Sequence, residues 1–274
     1  LKYTKSYGPF EGWFYRFFIK RTLDKLPFLF VRGEDNLKEV QKLNLKIPVY
    51  AFPDISIALE PEKEDWAIRY LADIGVDTKR PIVGLTPSSV IANYREDNNI
   101  CGFSHIKLCQ EIIKFFQQKG RQVLLIPHSI DPVEKRNCDL YLSNRIYEEL
   151  EDKTDVKIIP EALDYPKMKA IIGLLEFYIT SRYHSLSSAL SMCVPVVSLS
   201  WHIKYKDIMS LFLADFLAID SKSTGLEDAL YLIKKYYEDQ HWFNKDEVKA
   251  KKEALVKQID ESISLLVNEI NRSV

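Results

Sequence analysis

The stretch from Glu176 to Met209, EFYITSRYHSLSSALSMCVPVVSLSWHIKYKDIM, decides how the chain is read. Phe177 to Ile179 is a short apolar run of aromatic and β-branched residues, the signature of a buried parallel strand ending at Thr180. A polar turn carrying Ser181, Arg182, His184 and Ser185 comes next, and then a small-residue helix through Ser187, Ala189 and Leu190. Pro195 to Leu199 reads as a second strand, and Trp201 to Lys206 as the loop beyond it. In open parallel sheets ligands gather beyond the carboxyl ends of strands, where the first N–H groups of the next helix are unpaired and favour anions. Arg182 and His184 are expected at such an end.

The same alternation extends in both directions. Ile82 to Leu85 is an expected strand with a hydroxyl-rich turn, Thr86-Pro87-Ser88-Ser89, at its exit. Ser104 is placed to cap a helix running to Gln118, with Gly120 as its stop. Val123 to Ile126, Val156 to Ile159 and Phe216 to Ile219 read as further strands, separated by helices over Leu140–Leu150 and Pro166–Leu175. Strands alternating with helices on short loops predict an α/β fold whose carboxy-terminal domain, residues 79–222, is a Rossmann-like doubly wound parallel sheet. Residues 1–78 read as a partial amino-terminal α/β domain, with strands at Phe28–Val31 and Val49–Phe52, a polar helix between them ending near Leu43, and a charged, proline-bearing connector over 60–80 around a helix containing Trp66, Ile68, Tyr70 and Leu71. Residues 223–274 carry two helices, expected near 225–238 and 244–271. The second has Val248, Leu255, Ile259, Ile263, Leu266 and Ile270 as its apolar stripe, suited to packing back across the domains or to a partner.

Composition excludes several classes of function. With 38 basic and 39 acidic residues the net charge is −1, so no global field selects nucleic acid. The cysteines at 101, 109, 138 and 193 have no CxxC spacing and read as reduced packing residues of a cytosolic protein. No apolar run approaches the roughly 18–20 residues that cross a bilayer. Near the amino terminus, Trp13, Phe14, Phe17, Phe18 and Leu23 fall at helical spacing with Arg16, Lys20 and Arg21 between them. The expectation is a helix packed on its own domain, with peripheral membrane association as the alternative. GxGxxG, P-loop, HExxH and GxSxG motifs are absent, and histidines and cysteines do not cluster at ligand spacing, so no metal or cofactor is expected.

The sheet pattern brings separated polar residues to one edge. Ser88 and Ser89 leave one strand, His128 another, Arg182 and His184 a third, and His202 and Lys204 a fourth. A guanidinium, an ammonium and hydroxyls at a helix entry suit a phosphate or carboxylate. His184 is the candidate acid or base, whereas His128 serves either its loop or the site, and His202 is expected to be solvated. Arg32, at the end of the Phe28–Val31 strand, is a second candidate anion contact.

Taken in order, Gly8-Pro9-Phe10, LFVRGEDN at 29–36, Pro53-Asp54, VGLTPSS at 83–89, LLIPH at 124–128, and ITSRYHSLSSAL with VPVVSLS resemble the polysaccharide pyruvyl transferase family over residues 6 to 220. The resemblance implies a two-domain GT-B-like fold and transfer of the enolpyruvyl unit of phosphoenolpyruvate to a sugar hydroxyl pair in surface polysaccharide biosynthesis. It further implies a catalytic role for His184 and a donor-holding role for Arg32, with Arg182 matching the motif's arginine and Lys204 the basic residue of the loop after the next strand; these cations, with Ser88, Ser89, His128 and Ser185 at the strand exits, are the expected substrate-binding residues. Phosphoenolpyruvate is the implied donor, a nucleotide- or lipid-linked sugar the implied acceptor, and the inner face of the membrane a possible place of work. The chain departs from the family pattern at Gly33, Asn36 and Cys193, and it reads as lacking the family's amino-terminal glycine-rich segment. The alternatives are a GT-B glycosyltransferase that uses a nucleotide sugar and a non-catalytic sugar- or anion-binding member.

Overall fold

The computed structural model describes residues 7, 8, 10–98, 104–200, 204–212, 217–221 and 223–273. The chain divides into two compact units, residues 1–59 with 250–274, and residues 60–249.

In the first unit, helix α1 (Trp13–Leu23) precedes strand β1 (Leu29–Arg32), helix α2 (Gly33–Gln41) and strand β2 (Val49–Phe52). The two strands pair in parallel, Leu29 opposite Val49 and Arg32 opposite Phe52. Side chains alternate across a strand, so the pair presents two apolar faces. Leu29 and Val31 join Phe10, Leu23, Val40 and Leu43 in one cluster. Phe30 turns the other way, its ring 5.3 Å from that of Tyr50 and 5.7 Å from that of Phe52. Helix α1 departs from the packed helix expected of it, because only Leu23 of its residues is buried. Trp13, Phe14, Phe17 and Phe18 are 79, 60, 53 and 51% exposed.

The second unit runs α3 (Glu64–Asp73), β3 (Ile82–Thr86), α4 (Ser89–Asp97), α5 (His105–Gln118), β4 (Gln122–Leu125), α6 (Asp139–Glu148), β5 (Val156–Ile158), α7 (Tyr165–Ile172), β6 (Phe177–Thr180), α8 (Tyr183–Ser191), β7 (Val196–Ser200), α9 (Lys204–Phe212), β8 (Ala218–Asp220) and α10 (Leu226–Glu238). Its six strands are all parallel, in the order β5-β4-β3-β6-β7-β8. The chain starts in the middle, builds outward through β4 and β5, then returns to build the other side from β6. The winding therefore reverses between β3 and β6, which is where a doubly wound sheet opens a crevice. β3, β6 and β7 are buried along their whole length, as expected of strands covered on both faces. Gly84 lets β3 and β6 pack this tightly, since a Cβ there would lie 2.6 Å from the Tyr178 ring and 2.5 Å from Leu175.

Ser104 caps α5 by accepting from the Lys107 amide, and Gly120 succeeds that helix at φ 69°, as its spacing predicts. Two helices were not legible. α4 begins within the expected Thr86–Ser89 turn, and its buried positions are Ser89, Ile91 and Arg95, too polar to register as an apolar stripe. Lys204, expected in a loop, instead opens α9, which buries Tyr205, Ile208, Met209 and Phe212 at helical spacing. Trp201, His202 and Ile203 of the expected loop lie outside the described residues, as does Phe216 of the expected sixth strand.

The last helix, α11 (Lys245–Ser273), buries Val248, Leu255 and Ile259. Its inner seam then continues through Ser262 and Glu269 rather than Ile263 and Ile270, which are 41 and 39% exposed. Glu269 Oε1 accepts from the Tyr50 hydroxyl at 3.4 Å. Among the described residues no helix is long and apolar enough to cross a membrane.

Candidate active site

Thr86 and Thr180 end β3 and β6 directly opposite each other, so the segments leaving those strands emerge side by side at the reversal point. From β3 come Ser88, the cap of α4, and Ser89. From β6 come Arg182 and, on the first turn of α8, His184. His128 lies just beyond β4, and Lys204 opens the helix after β7.

The residue that organises them is Asp139, whose relative exposure is 0%. Arg182 donates to it through Nε at 2.8 Å and Nη2 at 2.5 Å, and Ser129 N donates to its Oδ2 at 2.8 Å. The Ser89 amide and hydroxyl both donate to its Oδ1 at 3.0 Å. One carboxylate thus ties together the exits of β3, β4 and β6. Arg182 Nη2 also reaches Ser89 Oγ at 3.1 Å. Among the described residues Nη1 of Arg182 donates to nothing, which leaves one edge of a rigidly aimed guanidinium for an anion. The sequence gives no separate signal for Asp139, because an acid on the first turn of a helix is explained by the helix dipole alone.

His184 is exposed, and its ring centroid lies 6.2 Å from that of His128, 6.3 Å from that of Tyr165 and 5.6 Å from that of Tyr183. His128 is half-buried, with Nδ1 lacking a hydrogen-bond partner among the described residues. Burial above all, helped by His184 and Arg182 and opposed by Asp139, pushes its pKa down to about 4. His128 is accordingly neutral near pH 7. Lys204 Nζ sits 5.6 Å from the ring centroids of both Tyr183 and Tyr205, and Tyr205 donates to the Ser181 carbonyl at 2.9 Å, fixing α9 against the β6 exit.

Four more hydroxyls support the floor. Thr86 Oγ1 donates to the Ile126 carbonyl at 2.8 Å, so its hydrogen bond with Tyr178 must take the tyrosine proton. Burial raises Tyr178 to about 12 and keeps it a donor. Ser185 is fully buried and lies against that tyrosine, on the inner side of α8. Ser88 is fully buried too, its hydroxyl accepting from Ile91 N at 3.5 Å and its own amide donating to His105 Nε2 at 3.2 Å. Arg32 belongs to the first unit, where Nη1 pairs with Asp54 Oδ2 at 2.7 Å. Burial, the largest influence on Asp54, raises its pKa, but the Ser56 amide and Arg32 together hold it below the ordinary value. Among the described residues no group of three or more His, Cys, Asp or Glu side chains gathers as a metal site.

His105, to which the sequence assigns no role, is a structural acceptor. Burial, with Arg95 and Arg182 acting the same way and Asp139 against, lowers its pKa from 6.5 to about 4. The unfolded chain therefore binds a proton near pH 6.5 that the folded chain refuses until about pH 4. Stability should be full above the unfolded value and fall as pH drops between the two, by up to about 1.4 kcal/mol per pH unit from this residue. His128 contributes a second proton over the same window. Urea unfolding from neutral to mildly acidic pH measures the slope, and a flat profile would mean the imidazoles are not held neutral.

A family model described as polysaccharide pyruvyl transferase matches residues 5–203. Among solved structures the chain is similar to a sucrose-phosphate synthase from Thermosynechococcus elongatus, at 11% identity over 96% of this chain and 63% of that one, with a TM-score of 0.57. It is also similar to an α,α-trehalose 6-phosphate synthase from Burkholderia multivorans, at 9% identity over 97% of this chain and 65% of that one, with a TM-score of 0.53. Identities this low show the fold alone, and that fold is GT-B-like. The chain thus spans less than two thirds of the length of these neighbours. No curated protein matches the sequence.

Proposed function

The chain belongs to the polysaccharide pyruvyl transferase family, and we propose that it moves the enolpyruvyl unit of phosphoenolpyruvate onto a pair of sugar hydroxyls, closing a pyruvate ketal and releasing phosphate. The acceptor in this reading is a precursor of a surface polysaccharide. The observation that carries it is the meeting of Arg182 and His184, from the Ser181–His184 motif inside the matched region, at the reversal point of the sheet.

In the proposed reaction the first hydroxyl oxygen bonds to C2 of the donor while the vinyl electron pair takes a proton at C3, making the methyl group. The second hydroxyl oxygen then bonds to C2 as the C2–O bond to phosphate breaks. Of the two hydroxyl protons, one is balanced by the new methyl hydrogen and the other leaves with phosphate. No redox partner is needed. Arg182 Nη1 and Lys204 meet the carboxylate and phosphate charges, and the Asp139 clamp holds the guanidinium still while they bind. Neutral His128 offers a hydrogen bond without adding charge. His184 moves the proton, a task suited to an imidazole near neutral pH.

Titration of the purified protein with phosphoenolpyruvate, with a uridine diphosphate sugar in parallel, tests the reading. Saturable phosphoenolpyruvate binding is expected, and Lys204→Ala should weaken it about 10-fold or more, as loss of a charge-assisted contact does. Preference for the nucleotide sugar would replace pyruvyl transfer with glycosyl transfer. Donor binding without phosphate release across an acceptor panel would mark a non-catalytic binder.

A further inference from the structure

Ser89, which accepts a hydrogen bond from Arg182, also lines a cavity of about 590 Å³ between α4, the start of α5, the turn at 135–137 and α6. Its charge is one-sided, because among the described lining residues Arg95, Lys135, Arg136 and Arg145 face one carboxylate, that of Glu96. The cation nearest the interior, Arg95, is 4% exposed and donates to the Ser221 carbonyl. Two rim cations have carboxylate neighbours that do not line the cavity, Arg136 with Asp97 at 2.5 Å and Arg145 with Glu149 at 3.8 Å. Both pairs are largely exposed, and such pairs are worth little, so either guanidinium can turn to a ligand at small cost. Lys135 Nζ stands 5.6 Å from the ring of Tyr141, which is 42% exposed and gives the rim a flat apolar face.

The geometry points to a second anion site here, one that takes a diphosphate. A lone carboxylate or phosphate would leave most of the space empty, since cavities of this size hold ligands of a sugar-plus-carrier scale. Cations from three separate elements suit charge spread over two linked phosphates better than a point charge. Ser89 lines this cavity and also accepts a hydrogen bond from Arg182, so a diphosphate held here lies next to the proposed donor site. That the diphosphate is the carrier of the acceptor sugar rests on the pyruvyl-transfer reading, whereas its binding does not. A nucleoside diphosphate and a lipid diphosphate share this chemistry.

Calorimetric titration with inorganic pyrophosphate, on the wild type and on an Arg136→Ala/Arg145→Ala double variant, tests the site, with phosphoenolpyruvate titrated alongside. Both side chains are more than 40% exposed, so the variant should fold. Pyrophosphate affinity is expected to fall at least about 10-fold in the variant, with phosphoenolpyruvate binding unchanged. No saturable pyrophosphate binding, or equal affinity in both proteins, overturns the site. If phosphoenolpyruvate fails to bind while pyrophosphate behaves as expected, the pyruvyl-transfer reading falls and the diphosphate site stands. Uridine diphosphate and farnesyl diphosphate separate the two carriers, the tighter of them naming the source, and equal affinities would confine recognition to the diphosphate itself.

Discussion

Asp139→Ala is expected to cost about 3–5 kcal/mol of folding stability, the usual penalty for leaving a buried ion without its partner. The orphan is the Arg182 guanidinium, whose side chain is 16% exposed and which donates two of its three hydrogen bonds to this carboxylate. The amides of Ser89 and Ser129 lose their acceptor in the same substitution. Urea unfolding followed by circular dichroism measures the loss. Asp139→Asn keeps one acceptor oxygen and the shape, so it should cost less, yet it removes the charge that fixes the guanidinium. Donor affinity should therefore fall in Asp139→Asn even in protein that is still folded. Wild-type stability in the alanine variant would show that the clamp is decorative.

His184→Ala should act in the opposite way, lowering turnover by about 10²–10⁴-fold, the range for a general acid or base, with almost no change in stability. The ring is exposed, so its removal opens no cavity in the core. Phosphate release with phosphoenolpyruvate and a competent acceptor measures the first quantity, and urea unfolding the second. If the variant turns over at the wild-type rate, proton transfer belongs to another group. The half-buried His128 is then the next to replace, although its lowered pKa suits it to hydrogen bonding more than to carrying charge.

The strands were legible because parallel strands buried on both faces are nearly pure apolar runs, and Phe177–Thr180 and Val196–Ser200 lie within a residue of where the sequence puts them. Their exits were legible for the same reason, since the end of a strand fixes the edge at which the next residues emerge, and so Ser89, His128 and Arg182 could be assigned to one edge. The surroundings of Arg182 could not be read. Its partner is 43 positions away, and only the closed sheet brings an ordinary helix-start acid beneath it. α4 escaped because a helix that buries a serine and an arginine carries no apolar periodicity. In α11 hydropathy points to Ile263 and Ile270, while the helix turns Ser262 and Glu269 inward. There the seam is set by the helical repeat continuing from Ile259, not by which residues are greasiest.

The Asp139 clamp also dictates an order of assembly. Ser89 reaches it across 50 residues and Arg182 across 43, while Arg182 reaches back to Ser89 across 93. Contacts of such separation close late, because the entropy of the long loops between them must be met before they give anything back. As the chain is synthesised, Asp139 leaves the ribosome well before Arg182, so β3 and β4 can pair around a carboxylate that has only backbone and hydroxyl donors. The arginine arrives with β6, so the clamp closes only when the second half of the sheet docks on the first.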